Sequence, residues 1–354
     1  MIKKLIYKSS ETDKKHLSKL RDEVNSVISN ISSNRIKYAQ FRAVFFPILY
    51  MFLYFVSTQF YENMFSYYLV FALMGVTVVL IFVNLVHDAV HQSIFRNKKM
   101  NNFWLYFFDI IGGNSYIWNK RHKLLHHRYQ NIAGWDSDIE QASIFRIYPH
   151  DKKNIIHTFQ PILIFFFYPI FLLNWLFIRD FKDFFSKKQL IRKVCDIPKR
   201  EYAKLFLFKL FYIFYIVIVP VLNGVSVLQA IGAMVFMIVV AGIFALLVLL
   251  TPHANLTNKF PLPDDHGKLS TTWLIHQFET ANDIILNNWA SRNIMGNFNY
   301  HVAHHIFPKI NSSYAPEVTA KVKEYAEMHG FNYRTLTLEE AFKEHYKLIK
   351  LNAK

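Results

Sequence analysis

Residues 158–178 read TFQPILIFFFYPIFLLNWLFI, a run apolar enough to enter a membrane but interrupted by Pro161 and Pro169. Whether it crosses decides on which side of a membrane everything after it lies. Asp151-Lys152-Lys153 precedes it, and the basic stretch 179–204, with Lys187-Lys188 and Lys199-Arg200, follows it. Short cytoplasmic loops are rich in Lys and Arg, so two basic flanks place both ends of the run on the cytoplasmic side. The run is therefore expected to lie in the interface or to re-enter, not to cross.

Four other runs reach the roughly 20 apolar residues that a spanning helix needs. They are Ala43 to Phe60, Ser66 to Val86, Leu205 to Leu222 and Val227 to Thr251. The second and fourth hold no charge, and the third holds only Lys209, read here as close enough to the helix end to snorkel. The link Tyr61 to Phe65 has one Glu and no basic residue, and Asn223 to Ser226 has no charge, so both are expected outside the cytoplasm. The expectation is an all-α, multi-pass integral membrane protein. Four transmembrane helices, interfacial helices and a cytoplasmic cap make it up, with both termini cytoplasmic.

The chain has 354 residues and a formal net charge of +16, which fits basic residues beside anionic lipid better than nucleic-acid binding, since no nucleic-acid module is recognisable. Cys195 is the only cysteine, so disulfides within the chain and thiolate metal clusters are excluded, and any metal must be held by nitrogen or oxygen. Residues 1–40 lack an apolar core of signal-peptide length and read as a cytoplasmic arm, with Leu17, Leu20, Val24 and Val27 or Ile28 on one helix face. Residues 41–310 form the expected membrane domain and 311–354 a cytoplasmic helical tail.

Eight of the sixteen histidines fall in three short windows: His87 and His91; His122, His126 and His127; His301, His304 and His305. Helical residues four apart share a face, so His87 can point with His91, and His122 with His126, at a common centre. Adjacent residues diverge by about 100°, so His126-His127 and His304-His305 suit two neighbouring metal ions better than one. With the re-entrant topology all three windows meet on one side of the membrane. A single zinc would leave most of these imidazoles idle, and neither His-Glu-x-x-His nor Glu-x-x-His occurs. Imidazole suits iron, copper, zinc and nickel, and a nitrogen-rich dinuclear site that activates oxygen fits non-haem iron best. A metal transporter would carry ionisable residues within its spans, which the second and fourth runs lack.

The windows resemble the three histidine boxes of the membrane fatty acid desaturases, His-Asp-x-x-His, His-x-x-x-His-His and His-x-x-His-His, in that order. The likeness extends to 111–118 (IGGNSYIW), 131–139 (NIAGWDSDI), 273–280 (WLIHQFET) and 296–308 (GNFNYHVAHHIFP). It is nearest to bacterial linoleoyl-CoA desaturase-like and front-end members, although many of these carry Gln where this chain has His301. The resemblance implies two non-haem iron ions held by the eight box histidines, and removal of two hydrogens from an acyl chain with oxygen and two electrons. It implies a further ligand at His253, with His276 as the competing candidate. Asp88, Asp136, Asp138 and Gln277 are expected to orient imidazoles. No fused cytochrome b5 motif is present, so an external donor such as ferredoxin or cytochrome b5 is expected. The acyl chain would arrive on CoA, lipid or a carrier protein. The runner-up reading is a di-iron hydroxylase of alkane, sterol or carotenoid type.

Overall fold

The computed structural model describes residues 4–139, 144–249 and 252–354. Among the described residues, four helices are long and apolar enough to cross a membrane: Asn34–Phe60, Met64–Val90, Lys199–Leu222 and Val227–Leu249. They match the four expected runs, but the first three extend into polar sequence, because helical hydrogen bonding does not stop where hydrophobicity does. The expected last two residues of the fourth run, Leu250 and Thr251, lie outside the described residues.

The run 158–178 is not one helix. Ile155–Phe167 and Phe171–Val194 meet at an angle of 95°. Pro161 is harmless, because it sits at the second position of the helix Gln160–Phe167, where its missing N–H would have no partner. Pro169 falls in the break itself, where its missing N–H and its restriction of Tyr168 oppose a continuous helix.

The chain divides into two compact units. The span unit comprises Tyr38–Lys120 and Ile164–Leu247. Its helices approach through small residues: a Cβ at Gly75 would overlap the Met237 carbonyl oxygen, and one at Gly242 the Pro169 carbonyl oxygen. Such contacts are how helices pack where lipid removes the hydrophobic drive to associate. Lys209 corrects the snorkelling expectation. Its ammonium is buried, 2.8 Å from Asp180 Oδ2, and donates to the carbonyls of Gly112 at 2.6 Å and Leu176 at 2.5 Å. A cation so enclosed has no route to water, and it clamps the bent segment to the third span.

The histidine unit comprises Met1–Lys37, Arg121–Leu163 and Val248–Lys354. The amphipathic helix Glu11–Ser29, capped by the Ser10 side chain, buries Leu20 and Val24, with Leu17 and Ile28 alongside. These pack on Val318, Val322 and Tyr325 of helix Ala315–His329 and on Leu274 and Phe278 of helix Trp273–Thr280. Helix His301–Ile306 contributes Val302, Ala303 and Ile306 to the same core. Its inward apolar face leaves the histidines of that helix for other partners. Two-residue strands, Asp283–Ile284 and Thr335–Leu336, pair in parallel beside it.

Candidate metal centre

Within the histidine unit, His126, His253, His301 and His305 offer ring nitrogens that all lie within 4.8 Å of one another, and all four residues are buried. His253 Nε2 is 2.7 Å from His301 Nε2, and His305 Nε2 is 3.1 Å and 3.2 Å from those same two atoms. His301 and His305 share a face because they are one helical turn apart. His253 sits in a loop, and its Nδ1 donates to the Thr280 carbonyl at 3.0 Å, which leaves Nε2 as the lone-pair nitrogen of the neutral ring. His126 is fixed likewise, its Nδ1 donating to Asp136 Oδ1 at 2.9 Å.

A second group gathers His122, His127 and His304. His127 Nε2 lies 3.1 Å from His122 Nε2 and 3.2 Å from His304 Nε2. His122 Nδ1 donates to Asp138 Oδ2 at 2.9 Å, and Asp138 also faces Arg121, Nε to Oδ1 3.7 Å. The expectation that His122 shares a centre with His126 is corrected here. Residues 122–126 form a π-helical turn in which the His127 N–H bonds to the His122 carbonyl, so the residue five along, not four, returns to the same face. The divergence expected of His126-His127 and of His304-His305 is found, one member of each pair in each group. In the span unit, buried His87 and His91 lie with ring centroids 5.1 Å apart, and His87 Nδ1 is 3.6 Å from Asp88 Oδ1.

The nitrogen separations test whether a metal fits. Two nitrogens about 2.1 Å from one ion and 90–109° apart are roughly 3.0 to 3.4 Å from each other. The separations in both groups, 2.7 to 3.2 Å, lie near that range. Protonation favours binding too, since a ligand imidazole must be neutral. Burial, with repulsion from His126, pushes the His253 pKa down to about 3, and burial among neighbouring imidazoles holds His305 well below its ordinary value. Burial works to lower the pKa of His126, but the Asp136 and Asp138 carboxylates together outweigh it and leave that ring the more basic donor.

The match to the fatty acid desaturase family model spans residues 36–337. The chain belongs to the fatty acid desaturase family. Among its relatives are two proteins named sn-1 linoleoyl-lipid 6-desaturase. That of Arthrospira platensis is 30% identical over 251 residues, 71% of this chain and 68% of the relative. That of Synechocystis sp. is 29% identical over 279 residues, 77% and 76% of the two chains. The acyl-lipid (8-3)-desaturase of Mortierella alpina is 28% identical over 292 residues, 80% of this chain and 64% of the relative. The chain is thus an oxidoreductase, an acyl desaturase in a membrane setting, and the hydroxylase alternative gains no support from these relatives.

Several residues that shape the histidine groups carry no local signal in the sequence. Asp283 Oδ1 accepts from the backbone N–H groups of His301 at 2.6 Å and Val302 at 2.7 Å, and Oδ2 accepts from the Tyr333 hydroxyl. It thereby caps the third-box helix from eighteen residues upstream. Asn131, held at φ 57°, donates from Nδ2 to the carbonyls of His253, Lys259 and Thr280 and so fastens the His253 loop. Its position inside the 131–139 motif was the only hint. Gln277 does not orient an imidazole as expected: it accepts from Gln130 Nε2 and donates to the Trp273 carbonyl, pinning the turn before Asn131. His276, fully buried edge-on to Tyr7, belongs to neither histidine group.

Proposed function

We propose that this desaturase holds two iron ions, one by His126, His253, His301 and His305, the other by His122, His127 and His304 together with His87 and His91. The observation that carries the reading is the convergence of Nε2 atoms at metal-edge separations while Nδ1 of His122, His126 and His253 is committed to Asp138, Asp136 and the Thr280 carbonyl. Each committed Nδ1 proton fixes the tautomer that presents a lone pair. The assignment of His87 and His91 rests on their spacing and on the first-box resemblance. When bound, the iron pair supplies oxygen activation, with two electrons from a separate donor of ferredoxin or cytochrome b5 type, for removing two hydrogens from neighbouring methylenes.

The names of the relatives support a lipid-linked acyl chain as substrate and a double bond placed on the carboxyl side of the chain. His301 stands where many front-end members have Gln, and it completes an all-imidazole set. Basic flanks on both sides of 158–178 support an active site and termini on the cytoplasmic side.

The test is expression in a host of simple fatty acid composition, with mass spectrometry of the total lipids and iron analysis of the purified protein. Two irons per chain and a new double bond, both lost on His126→Ala, are expected. Desaturation that survives His126→Ala would sink the ligand assignment, and a bond inserted towards the methyl end would sink the carboxyl-side placement.

A further inference from the structure

Two segments that flank the family-matched stretch reach into the histidine unit at equivalent points. Upstream, residues 5–8 lie beside 267–271 with one parallel bridge, Ile6 to Lys268: Ile6 N–H donates to the Gly267 carbonyl at 2.9 Å, Leu269 N–H to the Ile6 carbonyl at 2.9 Å, and Lys8 N–H to the Thr271 carbonyl at 3.0 Å. The Tyr7 hydroxyl then donates to the carbonyl of Arg128, the residue after His127. Tyr129 returns the contact, its hydroxyl donating to the Leu5 carbonyl at 3.2 Å, with the Tyr7 and Tyr129 rings stacked at 6.1 Å.

Downstream, helix Leu338–Asn352 starts at a capping box of Thr337 and Glu340. Buried His345 donates Nδ1–H to the carbonyl of Ala254, the residue after His253. The far end of the helix is tied down as well, Asn352 Nδ2 donating to the Ile147 carbonyl at 2.6 Å and Gln160 Nε2 to the Ile349 carbonyl at 2.7 Å. Terminal segments usually fray unless anchored in this way. Each segment thus spends a side-chain donor on the carbonyl of the residue that follows a histidine of the site, and the two histidines belong to different groups.

We propose that the flanking segments are positioning straps for the metal centre: Tyr7 and His345 each fix the carbonyl of the residue after one site histidine, and so hold His127 and His253 at metal-binding separation. The proposal rests on the two-iron reading above. Fixing that carbonyl, one residue beyond the histidine, restricts the local backbone and through it the Cα–Cβ direction of the histidine. The bond to the carbonyl then acts on the metal as the outer hydrogen bonds of imidazole ligands do, whose loss typically costs 10–100-fold in affinity.

The experiment uses the full-length protein in detergent with Tyr7→Phe, His345→Leu and His345→Asn, the last keeping a donor near the Nδ1 position. Iron loss to a chelator is expected to accelerate about tenfold in Tyr7→Phe and His345→Leu, at the lower end of the range for such bonds, and to return towards wild type in His345→Asn. Hydrogen exchange on the iron-free proteins supplies a readout that needs no metal. Tyr7→Phe should loosen amides around 122–129 and leave 253–259 alone, and His345→Leu the reverse. Equal loosening of both segments by each variant, or none, would overturn the straps, as would failure of Asn at 345 to restore retention. A wild type that takes up no iron while the two exchange patterns stay distinct would instead overturn the metal reading and leave the straps standing.

Discussion

Each unit is held together internally, and the means are opposite. In the span unit the decisive contacts are volumes, such as Gly75 against the Met237 carbonyl and Gly242 against the Pro169 carbonyl, with Phe41, Phe52, Phe55 and Phe65 left exposed to an apolar surrounding. In the histidine unit they are directions: buried Asn131, Asn258, Asp136 and Asp283 each engage two or more polar partners. Lipid-embedded helices need only fit, whereas a metal needs its donors aimed. Stability and metal retention should therefore be separable by mutation.

The largest effect expected is on stability. Lys209→Met leaves Asp180 buried without its cation, which costs about 3–5 kcal/mol, and the added Asp180→Leu recovers much of it. Iron per folded chain should stay unchanged in both, measured after unfolding titrations in detergent; loss of iron before loss of fold would erase the distinction between the units. Next, Asp136→Asn removes the acceptor that fixes His126 and should weaken iron binding by 10–100-fold, or about 1.4 to 2.7 kcal/mol, in a chelator competition, while the spans unfold as in wild type. Gly242→Ala should then lower stability by about 1–3 kcal/mol through overpacking, again with two irons retained.

The remaining effect is on pH dependence. Burial pushes the pKa of His276 and of His345 down from 6.5 to about 4. The unfolded chain takes up those protons first, so stability falls as pH drops from about 6.5 to about 4, by up to about 1.4 kcal/mol per pH unit for each group. Asp283, pushed up to about 6 by burial, runs the other way below pH 6, because the folded protein takes its proton first. Comparison of unfolding midpoints isolates the histidine term: the acid slope should be shallower in His345→Asn than in wild type.

Much of this was legible in the residues. Uninterrupted apolar runs gave the four spans, and Pro161 and Pro169 set the fifth run apart from them. The split of His304 from His305 followed from helical geometry. What failed were relations between distant residues and one local departure from regular geometry. Nothing in HKLLHH marks a π turn, so His122 was paired with His126 instead of His127. Hydropathy registers Lys209 as a charge near a helix end and is blind to Asp180, 29 residues earlier. Asp283, Tyr7 and His345 each act on backbone far along the chain, where no spacing rule reaches.

The composition of the histidine unit from three separated stretches of chain has a consequence for biosynthesis. Tyr7 is made about 260 residues before its partners at 267–271, and His345 follows later still. At about 5–20 residues per second the interval is on the order of tens of seconds. Through it the nascent chain displays its second-box imidazoles with no finished cage around them, so iron delivered during translation would meet a loose chelator, and iron delivered afterwards a finished one.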